Sequence, residues 1–200
     1  MRRRRLRLPL TLVQRRIAEG LLALGASVDP AGPLDSTTKW AAVAVIIAPE
    51  PEAVLLIRRA ERAGDPWSGH IGLPGGRLDP ADPDLRHTAI RETFEEVGWQ
   101  LDASQSLGTL PDVWPRTPLP RIIVVRPYVF AADSRPALTL SDEVAEAFWV
   151  PIEQLRDPAI YRETMIDLRG ERRGFPAFHI GEHVVWGLTE RILTPVLGML

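Results

Sequence analysis

Gly69-His70-Ile71-Gly72-Leu73-Pro74-Gly75-Gly76-Arg77-Leu78-Asp79-Pro80-Ala81-Asp82-Pro83-Asp84-Leu85-Arg86-His87-Thr88-Ala89-Ile90-Arg91-Glu92-Thr93-Phe94-Glu95-Glu96-Val97-Gly98-Trp99 is the run that decides the fold. Its second half, Pro83–Val97, reads as the best helix of the chain. Asp82 can N-cap it, Pro83 suits the first helical position, and Gly98 suits the C-terminal cap. Glu92, Glu95 and Glu96 stand at i, i+3 and i+4, so their carboxylates converge on one face. Ala89, Ile90, Phe94 and Val97 form an apolar stripe that can anchor the helix in a core. Three glutamates at this spacing are ordinarily a solvated face, because Glu is a good helix former. Like charges this close nevertheless destabilise a helix unless something cationic sits among them. A rigid cluster of carboxylates is a hard, all-oxygen site, suited to Mg²⁺ or Mn²⁺ rather than zinc. Such ions keep waters and bind phosphate oxygens, which points to water attack on a phosphoanhydride. Ahead of the helix, Pro74-Gly75-Gly76 supplies a tight turn with accessible backbone. Arg91 can pair with an acidic residue of the loop, Asp79 or Asp82.

Gly75-Gly76 followed by Arg91-Glu92-Thr93-Phe94-Glu95-Glu96-Val97-Gly98-Trp99 resembles the Nudix box. The loop from Gly76 to Arg91 is one residue longer than in the usual box. No glutamate stands at the expected place, with Asp79, Asp82 and Asp84 nearby instead, and Thr93 and Trp99 fill positions usually given to aliphatic residues. This aspartate-containing loop is similar to that of one branch, the coenzyme A pyrophosphatases. Leu55–Arg59, Gly69–Pro74 and Phe178–Thr189 resemble the same branch. Its Leu-Arg-x-His element is replaced here by Arg62-Ala63-Gly64-Asp65-Pro66-Trp67. The resemblance covers residues 40–195. It implies that Glu92, Glu95 and Glu96 are metal ligands, with the Gly75 carbonyl completing the shell, and that Arg91 orients a carboxylate. It also implies a general base from a later loop, Glu143 or Glu146, which spacing does not separate. Arg59 and Arg77 are candidate phosphate contacts, because guanidinium groups grip phosphate bidentately. His70 is a candidate substrate contact, and Trp67 or Trp114 a candidate stacking platform. His87 reads as solvent-facing. His179 and His183 have no clear helix start or carboxylate pattern beside them, so they are not read as a zinc pair.

Working outward, residues 10–25 carry Leu10, Val13, Ile17, Leu21 and Leu24 at helical spacing, with Gly25 as a stop. A loop follows over Asp29–Thr38. Trp40–Ala48 and Ala53–Arg58 read as two strands joined by a turn, and residues 60–82 as mostly loop. Ser106–Leu110 is an expected strand, then a Pro-rich loop from Pro111 to Pro120. Arg121–Ala131 and Ala145–Val150 are expected strands, Ile152–Arg156 a short helix, and Val184–Leu200 a terminal helix. Strands and helices mix without βαβ alternation, which argues for an α+β fold over a doubly wound one. The family resemblance implies a mixed β-sheet sandwiched between α-helices. Residues 39–200 read as the domain, and residues 1–38, which the resemblance does not reach, as an N-terminal helix and loop packed on it or preceding it.

Two hundred residues with 45% hydrophobic content suit one globular domain. The net charge of −2 gives no global reason to expect a nucleic-acid or membrane partner. Without cysteine, disulfides and thiolate chemistry are excluded, and Lys39 is the only lysine. Arg15, Arg16 and Glu19 interrupt the apolar stretch after the basic start, so a secretory signal is not expected. The chain reads as cytoplasmic, without a membrane span. The expected activity is Mg²⁺- or Mn²⁺-dependent hydrolysis of a diphosphate linkage in a small-molecule nucleotide. Coenzyme A is the substrate the branch implies; ADP-ribose, dinucleoside polyphosphates and nucleoside triphosphates are the rivals. A non-catalytic nucleotide sensor is the reading of another class, and pairing into a homodimer is compatible with the family.

Overall fold

Lys39–Ala48 (β1) is apolar at nearly every position because both of its faces are covered, as expected of a central strand. The computed structural model describes residues 9–25, 38–64, 67–116, 123–168 and 170–200. Val45 and Ile47 enter one core, while Ala42, Ala44, Ile46 and Ala48 enter the other. The period-two alternation of a strand thus divides the molecule into two layers around one sheet.

Before β1 comes α1 (Leu12–Ala23), followed in chain order by β2 (Ala53–Arg59), β3 (Ile71–Gly72), β4 (Gly75–Arg77) and α2 (Leu85–Val97). Then come β5 (Ser106–Thr109), β6 (Ile123–Ala131), β7 (Val144–Pro151), α3 (Ile152–Leu155), β8 (Tyr161–Leu168), β9 (Glu171–Ile180), β10 (His183–Trp186) and α4 (Gly187–Leu197). In the main sheet β1 pairs in parallel with β6 and antiparallel with both β2 and β4. Strand β7 pairs with β2, and β10-β9-β8 form a separate antiparallel sheet. Helix α2 covers one face of the main sheet; α1, α3, α4 and the ends of β9 and β10 cover the other. The architecture is the expected α+β sandwich. No helix among the described residues is long and apolar enough to cross a membrane.

Several expectations need correction. Asp84, not Asp82, caps α2: its carboxylate accepts from the His87 N–H at 2.8 Å, so the helix begins after Pro83. Phe94 is 51% exposed, whereas Thr93 is fully buried. The buried face follows Leu85, Ala89, Thr93 and Val97, and the Thr93 hydroxyl is satisfied by donating to the Ala89 carbonyl at 2.7 Å. Val184–Trp186 is strand rather than helix, pairing with Ala177–His179, and α4 starts at Gly187. His179 and His183 therefore lie across a hairpin instead of one helical turn apart. Residues 60–82 hold two short strands, because Gly75–Arg77 pairs with Ala41–Val43. The β8–β9 hairpin is absent from the sequence reading, and the Asp29–Thr38 loop lies almost wholly outside the described residues.

Helix α1 packs on the sheet through Ile17 and Leu21, both fully buried. Its buried Gln14 amide donates to the Ile47 carbonyl at 3.1 Å and the Ala132 carbonyl at 3.0 Å. Removing both donors should cost about 1–3 kcal/mol, a melting-temperature drop of several degrees for a domain this size. Gln14→Ala should show this by calorimetry, and Gln14→Glu should fare no better, since an ionised carboxylate cannot donate. An unchanged melting temperature would remove the tether from the account of stability.

Candidate functional site

Local backbone chemistry builds the site. Gly75 adopts φ of +150°, where a Cβ would meet the Ala42 carbonyl, so only glycine lets this strand lie so close to β1. At Gly76 a Cβ would collide with the Glu92 carboxylate; the missing side chain is the space the acid occupies. Helix α2 lies over these glycines, and the Gly75 N–H donates to Glu96 Oε2 at 2.8 Å. Gly75 thus reaches the acidic face through its N–H.

Arg91 is the centre of the loop contacts. Its Nε and Nη2 donate to the two oxygens of Asp82, each at 2.9 Å, and Nη2 also reaches the Arg77 carbonyl at 3.0 Å. Of the two candidate partners it is Asp82, not Asp79, that takes the guanidinium. Nη1 lies 2.9 Å from Glu92 Oε1 and 2.8 Å from Glu95 Oε2. The guanidinium holds the Asp82 carboxyl below the usual carboxylate range, and the Asp82 bonds in turn raise the Arg91 pKa.

Glu96 is almost completely buried, and this burial pushes its pKa up to about 8, against the opposing bond from Gly75. Glu92 and Glu143 raise it further; Arg59, whose Nη1 lies 3.8 Å from Glu96 Oε1, lowers it. Burial likewise raises Glu92, with Glu95 and Glu143 adding to the effect. Glu92, Glu95, Glu96, Arg91, Arg59, Gly75 and Glu143 are therefore one electrostatic neighbourhood.

Other candidates fall elsewhere. Leu55 and Ile57 face α2, so Arg59 does as well, whereas Arg58 shares the opposite face with Val54 and Leu56. Glu146 pairs across the strands with Arg58, its Oε2 3.3 Å from Arg58 Nε, and lies 3.5 Å from His183 Nε2. The sheet thus separates Glu146 from the α2 acids. The Arg77 residue is exposed and meets Arg91 through its carbonyl. His70 accepts the Arg59 N–H on its carbonyl and sets its ring 5.1 Å from Trp186. Trp67 is half-buried, its carbonyl accepting the His70 N–H. Trp114 is exposed, and its carbonyl takes a bond from Arg191. The His87 ring lies 2.7 Å from the Asp84 carboxylate. Sequence reasoning passed over Arg62, which contacts Asp142 and Glu143; nothing in its sequence neighbourhood signals a pairing across 80 residues.

Among the described residues no three acidic or imidazole groups stand preassembled as a metal cage, since Glu92 and Glu95 are turned onto Arg91. The donor chemistry nevertheless fits a hard divalent cation: oxygen only, with the buried Glu96 and the half-buried Glu92, whose charge burial and mutual repulsion oppose. The NUDIX domain family model matches residues 38–168. The chain belongs to the Nudix family. It is 34% identical over 152 residues to the human mitochondrial coenzyme A diphosphatase NUDT8, covering 74% of this chain and 63% of that protein. This chain therefore spans less than two thirds of the human relative's length. The Nudix hydrolase NudL of Photorhabdus laumondii is 30% identical over 165 residues, covering 80% of this chain and 84% of NudL. A MutT/nudix family protein from Enterococcus faecalis superposes with a TM-score of 0.58 over 94% of this chain and 74% of its own, at 16% identity, a likeness of fold alone.

The acid in this Nudix site has a stability consequence. Its folded pKa of about 8 exceeds the ordinary value of 4.5. Between those values the unfolded chain ionises while Glu96 in the fold stays protonated, so stability drains as pH rises and the loss is complete above about pH 8. Glu96→Gln cannot ionise and should make the metal-free protein more stable, by an amount that grows through this window to a few kcal/mol, on the order of several degrees. Millimolar Mg²⁺ should raise the melting temperature of the wild type and not of the variant. Equal melting curves with chelator at pH 8.5 would contradict the account.

Proposed function

We propose that this chain hydrolyses a phosphoanhydride bond in a nucleoside diphosphate linked to another group, with Mg²⁺ or Mn²⁺, and that coenzyme A or a derivative is the substrate. The products are then 3′,5′-ADP and 4′-phosphopantetheine. One observation carries the hydrolase reading: the buried Glu96, with Glu92 and Glu143 close enough to raise its pKa, packed against the bare backbone of Gly75 and Gly76. A purely nucleotide-binding module has no use for such repulsion, which opposes folding and would repel a phosphate. Coenzyme A is favoured by the aspartate-bearing loop and by the likeness to the human coenzyme A diphosphatase.

In this reading Glu92, Glu95 and Glu96 would hold the divalent ion, which would supply charge neutralisation at the diphosphate and a reactive water. Arg91 fixes the helix relative to the glycine strand and holds the Glu92 and Glu95 carboxylates, which would turn to the ion when it is bound. Arg59, on the same face, offers a guanidinium to the diphosphate. Glu143 is the later-loop carboxylate available to take a proton from the attacking water, whereas Glu146 lies behind the sheet. Burial of Glu96 strengthens the charge interactions it makes.

A product-resolved assay with coenzyme A, ADP-ribose, a dinucleoside polyphosphate and nucleoside triphosphates, in Mg²⁺ and separately Mn²⁺, tests this directly. Preference for coenzyme A with release of 3′,5′-ADP, reduced at least about a hundredfold in Glu96→Gln, is the expected result. Preference for another substrate retains the hydrolase and removes coenzyme A. Tight nucleotide binding without turnover replaces the reading by that of a sensor.

A further inference from the structure

Arg62, where the sequence departs from the Leu-Arg-x-His element, pairs with residues 80 and 81 positions further along the chain. The Arg62 N–H donates to the Ser68 hydroxyl at 2.9 Å. The guanidinium then forks: Nη1 lies 3.0 Å from Glu143 Oε1, and Nη2 lies 3.3 Å from Asp142 Oδ2. Backbone bonds surround this fork. The Ala60 N–H donates to the Glu143 carbonyl at 2.8 Å, the Ser141 N–H to the Glu96 carbonyl at 3.0 Å, and the Thr139 N–H to the Val97 carbonyl at 3.0 Å. The 139–143 loop is therefore stitched to the end of α2 on one side and to the end of β2 on the other.

Ion pairs this open contribute little to stability: the Arg62, Asp142 and Glu143 side chains are 44%, 92% and 48% exposed. What the fork does is choose a direction. Without it the half-exposed Glu143 carboxylate, repelled by Glu92 and Glu96, would turn to solvent. We propose that Arg62 is a positioning residue that clamps Asp142 and Glu143 and so fixes Glu143 as a further carboxylate facing Glu92 and Glu96. The proposal rests on the hydrolase reading for its kinetic part alone. The clamp joins Arg62, just past β2, to the acidic loop 139–143. It also separates Glu143 from Glu146, whose own arginine, Arg58, stands on the far face of the sheet.

The test pairs kinetics with amide hydrogen exchange. Arg62→Ala should melt at the wild-type temperature yet lose about tenfold in kcat with KM within about twofold, the pattern of lost positioning rather than lost binding. Arg62→Lys should recover part of the loss. In a Glu143→Gln background Arg62→Ala should add almost nothing, since the group it positions is already gone. Exchange at the Ala60 and Ser141 amides should quicken in Arg62→Ala while the α2 core amides stay protected. Unchanged kcat in the folded variant, or a loss as large in the Glu143→Gln background, overturns the proposal. A wild type that cleaves no nucleotide sinks the hydrolase reading alone. Exchange then decides the clamp: faster at Ala60 and Ser141 supports it, unchanged overturns it.

Discussion

Arg91 binds both oxygens of Asp82, the Arg77 carbonyl, Glu92 and Glu95 at once, and an always-charged planar group is suited to such a junction. Through it the loop 77–82, the glycine strand β4 and the acidic face of α2 keep a fixed relation. Without it two carboxylates on one helix turn would repel each other beside a third that is buried. The glycines become usable only because α2 is held close. Glu96 can then sit against the Gly75 N–H, and the space at Gly76 is filled by Glu92. The site is an electrostatic compromise: one cation compensates acids that a second, external cation is expected to share.

Much of this was legible in sequence, for a physical reason. Strands β1 and β2 are buried on both faces and read as unbroken apolar runs. Helix α2 ends at Gly98 in the left-handed conformation that favours glycine. The Glu92–Glu96 spacing needs only helical geometry to place its carboxylates together. What stayed hidden depends on partners far along the chain. Thr93 is a poor core residue by composition, yet its hydroxyl is satisfied by its own helix, and that frees Phe94 to face solvent. Asp82 and Asp84 are both plausible caps until one is claimed by Arg91. The β8–β9 hairpin shows almost no apolar alternation, since most of its residues are exposed on both faces.

Glu143 and Glu146 show the same limit more sharply. They are three residues apart and both acidic, one just ahead of β7 and one within it. Glu146 stands in β7 opposite Arg58, whereas Glu143 precedes that strand and meets Arg62. Sequence spacing carries both possibilities; only partners distant in sequence, Arg58 for one and Arg62 for the other, separate them.

The position of α1 bears on where this domain physically begins. Alignable family sequence starts just before β1, and a fragment trimmed to that boundary would look complete on paper. It would nevertheless lack Ile17 and Leu21 from beneath the sheet and the amide that satisfies the Ala132 carbonyl. The uncovered trough around Val45, Ile47 and Val129 would be a contiguous greasy surface of the kind that drives soluble proteins to self-associate. For anyone producing this protein, the early helix is the staple that keeps the back of the sheet dry.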